Sequence, residues 1–449
     1  MRGKIMGKKE TDAAREKIFG GIKSFFDSKE DRPFVPGKDR VQYAGPVFGG
    51  EEVAAVVETM LGGWLGLNKR GREFESALSK YVGGGQAVLA NSGSSANLLA
   101  MSALKADDAP FRLREGDEVI VPACSFPTTV NPIIQNGFVP VLVDVQLGTY
   151  NIDPVALSKA AGERTKAIVV SHMFGNPNQM DAIMEFAEKR GIVVIEDNCD
   201  ALGSSFKGKK TGSFGAMATH SFYPAHHITM GEGGAVVVNE KGFEPIVRSI
   251  RDWGRACVCP VCLVSVDPDF FCPMRFNQKV QGLPEGYDKK YIYTHIGYNL
   301  KPTEMQAAMG LEQLKKIGRF KKERQRNFNS LYGLFSEFQD FFVLPEALPE
   351  SDVSWFCFPL TIKGSAKFGR AEMISFLEKR NNIETRLFFG SNIMRHPAYK
   401  DVKFRVAGGL ENSDKILKDS LFIGVYPGIT PEKMAFVEEK IREFMKKHA

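Results

Sequence analysis

The chain alternates between two hydrophobic periods. Apolar positions at helical spacing mark "ETDAAREKIFGGIKSFFDSKE" (10–30), "EEVAAVVETML" (51–61) and "GREFESALSKYVG" (71–83). Short β-branched apolar runs mark strands in "DEVIVPA" (117–123), "VPVLVDV" (139–145), "KAIVVSHMFG" (166–175), "GIVVIED" (191–197) and "AMATHSFY" (216–223). The helical "MDAIMEFAEKR" (180–190) sits between two of these, and "QAVLANSGSSANLLAMSAL" (86–104) reads as strand, turn, helix. Strands that alternate with helices predict an α/β fold, a mostly parallel sheet covered on both faces.

Beyond "GYNLKPTEMQAAMG" (297–310) a long helical stretch runs to about residue 338, with Thr303 at or near its N-cap. The remainder gives a strand-like "SWFCFPLTI" (354–362), a helical "GRAEMISFLEKR" (369–380), a strand-like "IETRLFF" (383–389) and a last helix, "TPEKMAFVEEKIREFMKK" (430–447). The expected organisation is a helical lead over 1–45, a large domain over 46–300, a connecting helix over 301–338 and a small α+β domain over 339–449. No internal repeat or low-complexity segment interrupts it.

The 449 residues suffice for a large core plus a second, smaller one. A hydrophobic fraction of 43% and a charged fraction of 25% are those of a globular chain, which sets aside fibrous and disordered classes. No apolar run reaches membrane-spanning length. The start, "MRGKIMGKKETDAAREK", lacks a secretory apolar core, so a cytoplasmic location is expected. The net charge of +6 is spread over short runs such as "KGKK" (207–210). Such runs read as solvated surface rather than a nucleic-acid interface, although a mild positive balance suits a diphosphate substrate or an acidic partner.

Four segments could carry chemistry. In "NSGSSANLLA" (91–100), Gly93, Ser94 and Ser95 open a helix, where free N–H groups and hydroxyls can hold a phosphate; alone, this is also an ordinary helix cap. In "VVIEDNCDALGS" (193–204), Asp197 ends an apolar strand, at the edge where open α/β sheets build their sites. There it could pair with a protonated pyridine nitrogen, or simply end the strand. In "ACSFPTTVNPI" (123–133), Phe126 could stack on a flat ring or belong to the core. The fourth, "SFYPAHHITMGEGGAV" (221–236), offers the Ser221 hydroxyl, a pair of histidines and a flexible glycine backbone.

Taken in order, "SGSSAN", "SFPTTVNPI", "VIED", "SFYPAHHITMGEGG" and "GYNLKPTEMQAA" resemble the DegT/DnrJ/EryC1/StrS family of sugar aminotransferases over nearly all of the chain after residue 45. The resemblance implies a fold-type-I PLP-dependent aminotransferase architecture. It implies that Gly93, Ser94, Ser95 and Ser221 hold a cofactor phosphate, Asp197 the pyridine nitrogen and Phe126 the ring face. Asn299 and Lys301 match a segment that reaches into a neighbouring subunit, hence a homodimer with shared sites. Two positions depart from the family. Its cofactor-binding lysine is replaced by His226, and Asp200, expected near the cofactor, stands where Gln or His is usual. A subgroup, the sugar-nucleotide 3-dehydratases, shares the histidine. It holds pyridoxamine phosphate (PMP) without a covalent link and uses the histidine as a base. An imidazole suits that role, since it titrates near neutrality and does not capture the cofactor. His227, its neighbour, points elsewhere on any regular backbone and reads as structural.

Seven cysteines are present, four of them clustered: Cys257, Cys259, Cys262 and Cys272. In a reducing compartment such a cluster suggests metal or redox chemistry. Part of the dehydratase subgroup carries a [2Fe–2S] centre on the spacing C-x57-C-x-C-x7-C. Cys199, Cys257 and Cys259 meet its first two intervals, but Asp267 stands at the last position. Cys272, ahead of "PMRF", resembles the fourth ligand if a loop insertion of about five residues within 255–275 is allowed, and Cys262 is the alternative. Four sulfurs also suit zinc.

The expected activity is removal of the carbon-3 hydroxyl from a nucleotide-linked 4-keto-6-deoxyhexose, with CDP as the nucleotide by resemblance. Electrons would come from a flavin and iron–sulfur reductase, in 3,6-dideoxyhexose synthesis for lipopolysaccharide. The alternatives are a glutamate-dependent 3-dehydratase with zinc or no metal, and a non-catalytic sugar-nucleotide-binding relic.

Overall fold

A computed structural model describes residues 8–28, 32–259, 262–265 and 269–448. The helical lead is α1 (Lys8–Asp27), followed by α2 (Gly50–Leu61) and α3 (Lys69–Val82). The large domain then alternates: β1 (Gln86–Ala90), α4 (Gly93–Ala103), β2 (Glu118–Pro122), α5 (Pro127–Gln135), β3 (Val139–Val143), α6 (Pro154–Ala160), β4 (Thr165–Ser171), α7 (Met180–Arg190) and β5 (Val193–Asp197). A hairpin of two-residue strands, β6 (Ser205–Phe206) and β7 (Lys209–Lys210), leads to β8 (Met217–Ser221), β9 (Gly234–Val238) and α8 (Phe243–Arg251). The connecting helix α9 spans Glu304–Ser336. Its first turn carries the capping box that the sequence announces, with the Thr303 hydroxyl accepting from Gln306 N.

The small domain contains β10 (Phe342–Val343), β11 (Ser351–Asp352), β12 (Cys357–Ile362), α10 (Arg370–Ile374), β13 (Thr385–Arg386), β14 (Arg405–Ala407), α11 (Glu411–Asp419), β15 (Ser420–Gly424) and α12 (Pro431–His448). Its sheet runs β10-β12-β15-β13, and β11 completes a short ribbon with β6 and β7.

The large sheet runs β1-β9-β8-β5-β4-β2-β3-β14, and only β9 is antiparallel to its neighbours. Strands β2, β3 and β5 are buried on both faces, which is why they read as unbroken apolar runs rather than alternating ones. Two apolar clusters cover opposite faces. One gathers Val121, Leu99 and Val247, the other Ile120, Ile168 and Ile183.

The division into lead, large and small domain is interlaced in space. The outer strand β14 comes from the C-terminal part of the chain and pairs in parallel with β3. From the other end, Val41 bridges to Ile383 and packs in the small-domain core.

Candidate active site

The carboxyl ends of β4, β5 and β8 and the start of β9 meet at one edge of the sheet. The ladder places Asp197 beside Thr219, and Ser221 beside Gly234. A cavity of about 1110 Å³ opens there, lined from the large domain by Gly93, Ser94, Ser95, Phe126, Asp197, Cys199, Asp200, Ser221 and His226. Open α/β sheets place ligands at this edge.

The cradle begins at Ser92, the N-cap of α4, whose hydroxyl accepts from Ser95 N at 3.1 Å. The first turn of the helix therefore presents its amides and the positive end of its dipole to the cavity. Close approach explains Gly93. A Cβ there would stand 2.5 Å from Ser221 Cβ and 2.9 Å from Cys199 Sγ. The Ser94 hydroxyl donates to Thr128 Oγ1 at 3.1 Å, so the start of α5 contributes a second hydroxyl.

Asp197 is held as an oriented carboxylate. Its Oδ2 accepts from Thr129 Oγ1 at 2.7 Å and from Asn97 Nδ2 at 3.0 Å, and Asn97 in turn accepts from Thr219 Oγ1 at 2.5 Å. This relay fixes the rotamer. Phe126, half-exposed at the mouth, meets Phe389 edge-on with ring centroids 5.6 Å apart. A phosphorylated pyridine fits this donor set: hydroxyls and amides for the phosphate, a fixed carboxylate for the ring nitrogen and an aromatic face beside them. No lysine is among the described residues that line the cavity.

His226 Nδ1 lies 3.4 Å from Asp200 Oδ1, within ion-pair distance. Electrostatics argue against an ion pair. Burial, followed by the Arg324 cation, pushes the imidazole down to about 3. Burial, followed by Asp197, pushes the Asp200 carboxyl up to about 8. At neutral pH both are uncharged: a free base facing a protonated acid. Behind the imidazole, the fully buried Arg324 donates to the carbonyls of His226, Phe356 and Trp355 at 3.0, 3.0 and 3.3 Å. His227 is turned away from the cavity, with Nε2 on Ser354 O at 2.7 Å.

Two further sets lie elsewhere. Asn299 bridges to Asp252, and Lys301 Nζ sits 3.6 Å from Asp252 and 3.4 Å from the centre of the Trp253 ring; neither lines this cavity. The four cysteines proposed for a cluster are not gathered. Cys199 sits in the cavity wall, where burial followed by Asp197 holds its thiol well above the usual range. Cys257 and Cys259 hydrogen-bond each other in the 255–275 loop. Among the described residues no three His, Cys, Asp or Glu side chains are placed to share a metal ion. Residues 260, 261 and 266–268, which include Asp267, lie outside the described residues. As described, the cysteines do not fit a cluster.

The structure adds residues that the motifs do not single out. Asn97 comes from the second turn of α4, and Thr128 and Thr129 from the first turn of α5. Thr128 directly follows the Phe-Pro that opens a helix, a position where a hydroxyl is a legible signal, whereas Asn97 and Thr129 carry none. Tyr43, Tyr223, Glu232, Arg386 and Phe389 also line the cavity.

A mostly parallel sheet with the cradle, the carboxylate and the base at one edge is the arrangement of a fold-type-I enzyme. The chain belongs to the DegT/DnrJ/EryC1/StrS aminotransferase family, whose model matches residues 46–442. It is 45% identical over 435 residues (97% of this chain, 93% of the relative) to dTDP-4-dehydro-2,6-dideoxy-D-glucose 3-dehydratase of Saccharopolyspora spinosa. It is also 45% identical over 415 residues (92% and 93%) to the lipopolysaccharide biosynthesis protein RfbH of Salmonella typhimurium. Among solved structures, GDP-4-keto-6-deoxy-D-mannose-3-dehydratase of E. coli with bound hydrated PLP superposes with a TM-score of 0.77 at 29% identity, covering 89% of this chain and 98% of that one.

Proposed function

We propose that this chain is a PMP-dependent 3-dehydratase acting on a nucleotide-linked 4-keto-6-deoxyhexose in deoxysugar synthesis for surface polysaccharide. One observation carries the reading: a complete phosphate-and-pyridine cradle whose reactive position holds a neutral histidine and no lysine. A relic would not keep the Thr219–Asn97–Asp197 relay in order.

Gly93, Ser94, Ser95, Thr128 and Ser221 would hold the phosphate, Asp197 the ring nitrogen and Phe126 the ring face. When bound, PMP supplies an amine for the keto carbon and an electron-accepting ring. His226 is unprotonated at neutral pH, but burial makes it a weaker base than the free imidazole that the sequence suggests; it would take a proton inside the cavity and return it to the departing hydroxyl. Asp200 stays protonated opposite Nδ1, which keeps a second carboxylate charge away from Asp197. The homodimer belongs to this proposal. It is supported by the exposed Tyr291, Tyr293 and Ile296, which lead into the Asn299–Lys301 segment.

The test is to incubate the protein with PMP and the CDP-, dTDP- or GDP-linked 4-keto-6-deoxyhexose, and to follow loss of water from the sugar by mass spectrometry. An amino sugar formed from glutamate, with no dehydration, would sink the reading. His226→Lys should capture added pyridoxal phosphate covalently and stop dehydration.

The finer reading, a [2Fe–2S] centre on Cys199, Cys257, Cys259 and Cys272 fed by a flavin reductase, is supported by cysteine spacing alone. Anaerobic purification with iron and sulfide analysis decides: stoichiometric zinc without sulfide ends the idea, and Cys272→Ser should bleach a cluster that Cys262→Ser leaves intact.

A further inference from the structure

The cavity is larger than a single cofactor requires. Pockets for one compact ligand run to roughly 300–1,000 Å³, and this one reaches about 1110 Å³. The cradle meets one phosphate with hydroxyls, amides and a helix dipole, and without a cation. Among the described residues that line the cavity, Arg386 is the single Lys or Arg. It projects from β13 on the small-domain wall, whereas the cradle belongs to the large domain.

Arg386 is built in rather than loose. Its guanidinium stacks 4.3 Å over the Tyr43 ring, Nη2 donates to Glu384 at 2.5 Å, and Nη1 donates to Thr385 O at 2.8 Å. Those bonds use two of its five N–H donors. Glu384 is itself shared, because Arg40 lies 3.7 Å away on the same oxygen and Tyr43 N donates to the other at 3.2 Å. Two guanidinium groups around one carboxylate leave a net positive charge. Burial, ahead of its other neighbours, keeps the Tyr43 phenol protonated, so it remains a donor beside Arg386. Among its described residues the large-domain wall carries Asp197, Asp200 and Glu232 and offers an anion no comparable cation.

We propose that Arg386, with Tyr43, is the seat of the diphosphate bridge of the nucleotide-linked substrate, a second anion site in the cavity. This rests on reading the cavity as a sugar-nucleotide site. A guanidinium suits it because its fork matches phosphate oxygens and its charge does not titrate.

The test uses the cofactor-loaded protein titrated calorimetrically with CDP, dTDP and inorganic pyrophosphate. Arg386→Gln should weaken all three by about tenfold to a hundredfold. Arg386→Lys should recover part of that loss, and the cofactor absorbance should stay unchanged in both, which shows the cavity still formed. Diphosphate affinity unchanged in Arg386→Gln overturns the assignment. So does a variant that keeps the diphosphates and loses glutamate, which would make Arg386 a carboxylate anchor. The two readings fail separately. Diphosphates held through Arg386 with no dehydration of any sugar would sink the dehydratase reading alone. A working dehydratase whose KM ignores Arg386→Gln would sink this one alone.

Discussion

Gly93→Ala tests the cradle most directly, because the perturbation is a single methyl group with defined neighbours. The new Cβ would stand 2.5 Å from Ser221 Cβ and 2.9 Å from Cys199 Sγ. Carbon atoms pack best at about 3.5–4.0 Å, so the first overlap is about 1 Å. Cys199 Sγ can rotate away. Ser221 Cβ cannot, since it is fixed to β8, so either the start of α4 or the end of β8 must shift. Overpacking of this kind costs about 1–3 kcal/mol. The displaced amides are those that face the phosphate, and weakening one charge-assisted hydrogen bond removes a further ~1.5–3 kcal/mol of binding, about tenfold to a hundredfold in cofactor affinity. Equilibrium dialysis of PMP with thermal melting of the apo and loaded protein reads both effects. Ser221→Gly removes the clashing carbon, so the double variant should melt above Gly93→Ala alone. Wild-type melting and wild-type PMP affinity in Gly93→Ala would refute the close-approach argument.

Arg324→Met leaves the carbonyls of His226, Trp355 and Phe356 without their donor and should cost about 2–4 kcal/mol in stability, read by urea denaturation. It also removes the cation that, after burial, holds His226 down, so the imidazole should titrate at higher pH by NMR. Asp200, raised from 3.8 to about 8, keeps its proton in the folded state while the unfolded chain releases it, so its contribution falls as pH rises between those values. Asp200→Asn should flatten that slope in apo-protein melting between pH 5 and 8. His220, pushed down to about 4 chiefly by burial, has the opposite sign. It must charge when the chain unfolds, so stability present above pH 6.5 is lost as pH falls through 4, on the order of 3 kcal/mol. His220→Gln should lessen that acid sensitivity in melts from pH 7 down to 4.

The parts legible in the sequence were those fixed by local pattern. Strands β2, β3 and β5 stand out because burial on both faces makes most of their positions apolar, and Thr303 caps α9 through its own neighbours. Strand β9 does not stand out from the glycine-rich stretch before it, because "GGAVVV" is too short to announce its direction. Strand β14 could not be read from "RVA" either; three residues between charges gain strand geometry only from β3. The site shows the same split. Asp197, Ser221 and His226 are read from their motifs by residue type, whereas Asn97 and Thr129, although they lie in motifs too, take their roles from partners far away in the chain. The cysteine spacing is a strong local signal that the fold does not bring together: Cys199 is held in the cavity wall by β5, on a different element from the loop that carries the others.

The interlacing of the two ends has a consequence for how the protein is made. Strand β3, buried throughout, receives its outer neighbour β14 from residues 405–407, more than 260 residues later in synthesis. Until that segment leaves the ribosome, a nascent chain with every other sheet strand in hand still exposes an open, apolar sheet edge. Shortened forms ending before residue 405 should therefore be recovered as aggregate rather than as a free-standing large domain, and cellular yield should depend on chaperone supply late in translation.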